Sequence, residues 1–144
     1  FYEALQPEFK DYQEQVLKNI KVLAETLEKE GFHIVSGGTD NHLILVDVKS
    51  GCGLTGKEAQ NLLDTIHITV NKNAIPNDTE SANVTSGIRL GSPAMTTRGL
   101  KEDDFKKIGS IIASALKNHD NKEILKRLES QVLNITSKYP LWYE

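Results

Sequence analysis

A single cysteine in 144 residues, Cys52, leaves no internal disulfide and no cysteine-rich zinc site to build. Cys52 stands between Gly51 and Gly53, a setting for a turn residue rather than a nucleophile. No apolar run approaches the roughly 20 residues that a membrane span needs. No secretory signal is visible, and the opening "FYEALQPEF" lacks an initiator methionine and reads as an interior cut of a longer protein. Excess positive charge is also missing. The formal net charge is -3, which argues against a nucleic-acid binder, since phosphate contacts need a dense basic face. No two of the four histidines, His33, His42, His67 and His119, share a metal-ligand spacing on one element, so no metal site is expected. His42 reads as a packing or turn residue at a strand entry and His119 as an exposed residue in a helix break. No Walker or dinucleotide-type glycine loop occurs, and no Ser-His-Asp arrangement can be argued. Sequons at Asn77, Asn83 and Asn134 read as chance matches without a signal.

What is present fits one domain with room for a core, at 38% apolar and 26% charged residues. Residues 7–30 predict a helix, with Val16, Ile20, Leu23 and Leu27 on one face and Gly31 as its stop. Residues 32–36 form a short β-rich run and "SGGTDN" a turn cluster. Residues 42–48, rich in Leu, Ile and Val, read as a buried strand, and "KSGCG" as a loop. Thr55 and Glu58 have capping-box spacing before a helix whose inner face is Ala59, Leu62, Leu63 and Ile66. A β-prone run at 68–70 leads into "NKNAIPNDTESAN", read as a long loop, and "VTSGIRLG" reads as a strand. Residues 102–116 predict an amphipathic helix with Phe105, Ile108 and Ile112 inward and an acidic first turn. Asp120 and Glu123 suggest a capping box for a last helix bearing Leu125, Leu128 and Val132. The order is roughly αββαβ(loop)βαα, a compact α/β domain with a small sheet covered by helices.

Two stretches could carry chemistry. Arg89, in "TSGIRLGSPA", offers the planar fork of donors that clamps a carboxylate or phosphate. Gly87 and Gly91 beside it would admit a ligand or a neighbouring backbone. Spacing alone favours a structural salt bridge to Asp40, Asp47 or Glu80. In "NKN", the Asn71 and Asn73 amides could read a heterocycle edge. Lys72 could be a phosphate contact or a Schiff-base amine, although a solvated turn lysine is the simpler reading.

Taken in order, "EALQPEFKDYQEQVLKN", "VSGGTDNHLILVDV", "LTGKEAQNLLD", "ITVNKNAIPND" and "VTSGIRLGSPAMTTRGL" resemble the C-terminal part of serine hydroxymethyltransferases. Together they are specific, and they span nearly the whole chain. The resemblance implies a fold type I pyridoxal-phosphate (PLP) enzyme of the cytoplasm, dimeric or tetrameric. Such enzymes interconvert serine plus tetrahydrofolate and glycine plus methylene-tetrahydrofolate. Residues 1–144 would be the single small domain, an α+β two-layer unit with a mainly antiparallel sheet packed on a large cofactor domain.

In that family the arginine of "SGIR" binds the substrate carboxylate, which maps to Arg89. The second asparagine of "NKN" lines the folate pocket, which maps to Asn73. A folate-contacting Ser-Pro-Phe segment maps to Ser81, Ala82 and Asn83. The last two depart from the pattern, removing a ring from the folate edge and a proline that stiffens the loop. His67 stands where glycine is common, and a slightly different helix exit is expected, with no new activity.

The Thr-rich stretch with His-Lys that carries the cofactor lysine does not occur here, and Lys72 does not match it. No catalytic residue is therefore expected in this chain, which should be inactive alone, with PLP held by the large domain. No membrane or nucleic-acid partner is expected. The alternatives are a stand-alone small-carboxylate-binding or regulatory α/β domain without catalysis, or a scaffold with Arg89 in an internal salt bridge.

Overall fold

Apolar residues at helical spacing build the first long helix, α1 (Pro7–Lys29). Its Val16, Ile20, Leu23, Ala24 and Leu27 are buried, and each large apolar side chain taken from water contributes about 1.5–3 kcal/mol. Gly31 ends it at φ 95°, with Gly31 N–H on the Glu28 carbonyl and Phe32 N–H on that of Leu27. The computed structural model describes residues 7–35, 43–91 and 100–138. The turn cluster at 36–41 with Asp40, His42, residues 92–99 and the closing residues 139–144 lie outside these.

Four strands follow α1: β1 (His33–Ile34), β2 (Leu43–Asp47), β3 (Asn71–Asn73) and β4 (Gly87–Gly91). They form one wholly antiparallel sheet in the order β1-β2-β4-β3. The other helices are α2 (Val48–Cys52), α3 (Gly56–Thr65), α4 (Glu102–Lys117) and α5 (Lys122–Ser137). The expected α/β two-layer domain is what is found. Ile34, Ile44, Val46, Ile88 and Leu90 turn one sheet face into a core shared with Ile20, Leu63, Phe105, Ile112 and Leu116 of the helices. α1 and α4 pack closely, since a Cβ on Gly109 would lie 3.0 Å from Thr26 Cβ. Buried Asn19 donates to the Leu100 carbonyl at 3.0 Å, tying α1 to the start of α4. No helix among the described residues is long and apolar enough to cross a membrane.

Several local expectations change. "KSGCG" is not a loop. Asp47 Oδ1 accepts from Ser50 N–H at 3.1 Å, and Gly53 at φ 83° closes the other end, so a single helical turn forms between them. Cys52 is half-buried in that turn, burial raising its thiol pKa. Residues 68–70 are not a strand; the strand is the polar "NKN" that follows, because pairing with β4 outweighs local propensity. The β4 strand begins at Gly87 rather than at 84, after a turn. In β2, Leu45 is only half-buried between buried Ile44 and Val46, so burial is one-sided. The cap of α5 is Asn121, whose Oδ1 accepts from Ile124 N–H at 3.1 Å. Asp120 instead faces half-buried His119 at 3.1 Å. The Thr55–Glu58 capping box forms as expected.

At the end of α3, His67 takes the left-handed conformation itself, at φ 68°. Its N–H reaches the Asp64 carbonyl at 3.1 Å and Ile68 N–H the Leu63 carbonyl at 2.9 Å, the bonds of a Schellman exit. The helix exit is therefore the one that glycine would make, not an altered one. Its two backbone bonds hold the histidine there against a steric cost of about 1–2 kcal/mol. His67 Nε2 also lies 3.1 Å from Glu129 Oε2, an exposed pair worth a few tenths of a kcal/mol. His67→Gly is expected to stabilise the fold by about 1 kcal/mol, read as a higher urea midpoint at unchanged slope.

Candidate functional site

The face of the sheet turned away from the core carries Arg89, Asn71 and Asn73, while Lys72, opposite buried Ile88, falls on the other face. Arg89 lies on the central strand β4, directly opposite Leu45 of β2 and Asn71 of β3. Residues opposed across antiparallel strands share a face, so the guanidinium stands between an amide and an apolar side chain. Asn73 follows two residues along the same face, level with Gly87, and its Nδ2 donates to the Ala74 carbonyl at 2.9 Å. Arg89 is exposed while its neighbours Ile88 and Leu90 are buried.

Two of the three carboxylates suggested by spacing as partners of Arg89 are engaged elsewhere. Asp47 caps α2, and Glu80 pairs with Lys49; Asp40 lies outside the described residues. Among the described residues Arg89 has no ion-pair partner. Lys72 is not a turn lysine. It is half-buried within β3, and its N–H donates to Gln60 Oε1 at 2.7 Å.

The start of β4 is held with unusual density. Gly56 and Lys57 N–H, at the head of α3, donate to the Thr85 and Val84 carbonyls at 3.0 Å each. Val48 and Lys49 N–H, at the head of α2, share the Ser86 carbonyl at 3.1 and 3.2 Å. Thr85 adopts φ 60°, and its buried hydroxyl donates to the Gly87 carbonyl at 3.2 Å. Such a conformation is costly for a β-branched residue and persists because its surroundings impose it. A Cβ on Gly87 would lie 2.8 Å from Ile75 Cγ2 and 2.9 Å from the Asn73 carbonyl oxygen, so this glycine admits the chain's own neighbours.

The hairpin connection from Asn73 to Gly87 carries Ser81, Ala82 and Asn83, all exposed. The Ser81 carbonyl accepts from Val84 and Thr85 N–H at 3.0 and 2.9 Å, making them a tight turn. Earlier in the connection, Pro76 precedes Asn77 at φ 58°, and Asp78 N–H closes on the Ile75 carbonyl at 3.1 Å. That is the pattern of a type II turn. The structure thus joins Arg89, Asn71 and Asn73 on one face and hangs residues 81–83 from the same hairpin.

Asp78 escaped the sequence reading. Its carboxylate accepts from Ser86 Oγ at 2.7 Å, Ser86 N–H at 2.8 Å, Glu80 N–H at 2.8 Å and Ile75 N–H at 3.2 Å. The Ser86 hydroxyl bond first, then the Glu80 N–H, lower its pKa from the ordinary 3.8 to about 2. A depressed carboxylate stabilises the fold above the unfolded pKa, and that contribution is lost as pH falls from 3.8 through about 2. The gap in melting temperature between wild type and Asp78→Asn is therefore expected to be constant above pH 5, to narrow below about pH 4 and to close near pH 2.

The chemistry on offer is anion recognition by Arg89, with amide donors and acceptors beside it. A cofactor phosphate finds no cradle among the described residues near it, because the N-termini of α2 and α3 already serve the carbonyls of 84–86. α4 opens instead with Glu102, Asp103 and Asp104. No group of three or more His, Cys, Asp or Glu among the described residues could hold a metal ion. Residues 1–112, which include the whole sheet and its polar face, match the family model of serine hydroxymethyltransferase. The chain belongs to the serine hydroxymethyltransferase family.

Proposed function

We propose that residues 1–144 are the small domain of an enzyme that interconverts serine plus tetrahydrofolate and glycine plus methylene-tetrahydrofolate. Arg89 binds the amino-acid carboxylate in this reading. Asn73, Ser81, Ala82 and Asn83 form part of the folate side. One observation supports it above the others: an exposed arginine on the polar sheet face, without an ion-pair partner among the described residues. A guanidinium so placed can meet a carboxylate through two parallel N–H···O bonds, which fixes orientation as well as charge. Holding the carboxylate limits rotation about the substrate's α-carbon, and orientation of this kind lowers barriers by several kcal/mol.

PLP, the family's cofactor, is assigned to a large domain outside these residues, as is the lysine that carries it. The assembly is read as a cytoplasmic homodimer or tetramer. With Ala82 and Asn83 in place of proline and a ring, the folate edge relies on backbone groups and Ser81.

The test compares serine with 2-aminoethanol, which lacks only the carboxylate, in the full-length holoenzyme and its Arg89→Lys variant. The variant should weaken serine and leave 2-aminoethanol binding unchanged. The same assay on residues 1–144 alone should give no turnover. Serine binding by residues 1–144 alone at the holoenzyme's affinity would favour a stand-alone carboxylate-binding domain instead.

A further inference from the structure

One side chain closes the connection that carries the folate-side residues. Asp78 takes N–H donors from Ile75 near the connection's start, from Glu80 just before the 81–83 turn, and from Ser86 at its end. Ser86 is thereby bonded at three points: its N–H and hydroxyl to Asp78, and its carbonyl to Val48 and Lys49 N–H. Gly87 comes next and opens β4, and Arg89 stands two residues further. The 81–83 turn is caught between the Glu80 and Ser86 anchors. Nothing else among the described side chains bonds to both ends of the connection.

We infer that Asp78 is a positioning residue that sets the Arg89 strand and the 81–83 turn together, so that one carboxylate couples the amino-acid and folate sites. The inference rests on the carboxylate-clamp reading of Arg89. The need for aspartate follows from donor counting. Asp78 is met by three N–H groups and one hydroxyl, all donors, across both oxygens. Asparagine presents one oxygen and an NH2 group. With the NH2 in the Oδ1 place the Ser86 hydroxyl can turn to accept, but Glu80 N–H faces a donor; in the Oδ2 place both Ile75 and Ser86 N–H do, so no orientation satisfies all the donors.

The test is steady-state kinetics of the full-length holoenzyme with Asp78→Asn and with the milder Ser86→Ala, which deletes one of the four bonds. Leaving buried or half-buried donors unmatched costs enough to expect KM for serine and for tetrahydrofolate each to rise about tenfold in Asp78→Asn. Ser86→Ala should raise both about two- to threefold. Affinity for 2-aminoethanol should stay at the wild-type value in both. A purely structural role would reduce the active fraction, and so kcat for every substrate, with both KM values unmoved. That result overturns the inference. If Asp78→Asn does not fold, Ser86→Ala decides on the same readout. Arg89→Lys, run alongside, separates the two readings. If it spares serine, the clamp reading falls. If it impairs serine while both other variants leave KM unchanged, only the coupling by Asp78 falls.

Discussion

In the full-length holoenzyme, Arg89→Lys is expected to lower kcat/KM for serine by about 10²-fold, equivalent to about 2.7 kcal/mol. Lysine keeps the charge, so the expected loss isolates geometry. An ammonium is a point donor on a flexible stem and cannot hold two carboxylate oxygens in one plane. The sheet offers no compensation, because the residues opposite 89 are Leu45 and Asn71, and neither carries a second cation. The loss should divide between a higher KM, from weaker ground-state binding, and a lower kcat, from a carboxylate held without fixed rotation. With 2-aminoethanol the substitution should have no effect. The two substrates and two enzymes then form a cycle whose coupling energy is the carboxylate–guanidinium interaction itself. Serine kinetics within twofold of wild type would remove Arg89 from the substrate site.

The four long helices were legible because their information is local; the single turn α2 was not, since it is set by the Asp47 cap and Gly53 rather than by a periodic stripe. α1 shows a 3.6-residue stripe from Val16 to Leu27, and α3 shows a Thr55–Glu58 cap that the structure reproduces bond for bond. The sheet was legible only in its apolar strands. "NKN" carries no strand propensity, and its identity as β3 comes from register with β4, a partner 16 residues or so along the chain that no local window contains. The same holds for the site. Arg89 was visible as an isolated charge within a recognisable motif. Its setting between Asn71 and Leu45 depends on two strand pairings. Asp78 was illegible for a related reason: its four donors come from Ile75, Glu80 and Ser86, and only the folded connection brings them to one carboxylate. The "IPND" segment did hold a signal, since Pro-Asn predicts the turn that presents the aspartate.

Gly56→Ala is expected to be the most damaging single-methyl change in the described chain, destabilising the domain by about 3 kcal/mol. Gly56 is the first residue of α3 and lies against the segment that launches β4. A Cβ there would fall well inside contact distance of Thr85 Oγ1 and of the Gly87 carbonyl oxygen. The hydroxyl is not free to rotate away, because it is buried and bonded to that same carbonyl. The carbonyl belongs to the backbone of a central strand, so it moves only if the strand moves. Relief must therefore come from α3 backing off, which lengthens the Gly56 and Lys57 N–H bonds to Thr85 and Val84. Overpacking costs about 1–3 kcal/mol, and each weakened backbone bond adds about 1 kcal/mol. The helix propensity gained by alanine offsets at most about 1 kcal/mol. Lys57→Ala, next in sequence but exposed, keeps its backbone donor and should stay within about 0.5 kcal/mol of wild type. Urea unfolding gives the stability difference, and amide exchange gives its location. Loss of protection at residues 56 and 57 before α1 is affected would place the strain where the geometry puts it. Equal midpoints for Gly56→Ala and Lys57→Ala would mean that α3 can shift freely, and that the launch of the Arg89 strand does not depend on it.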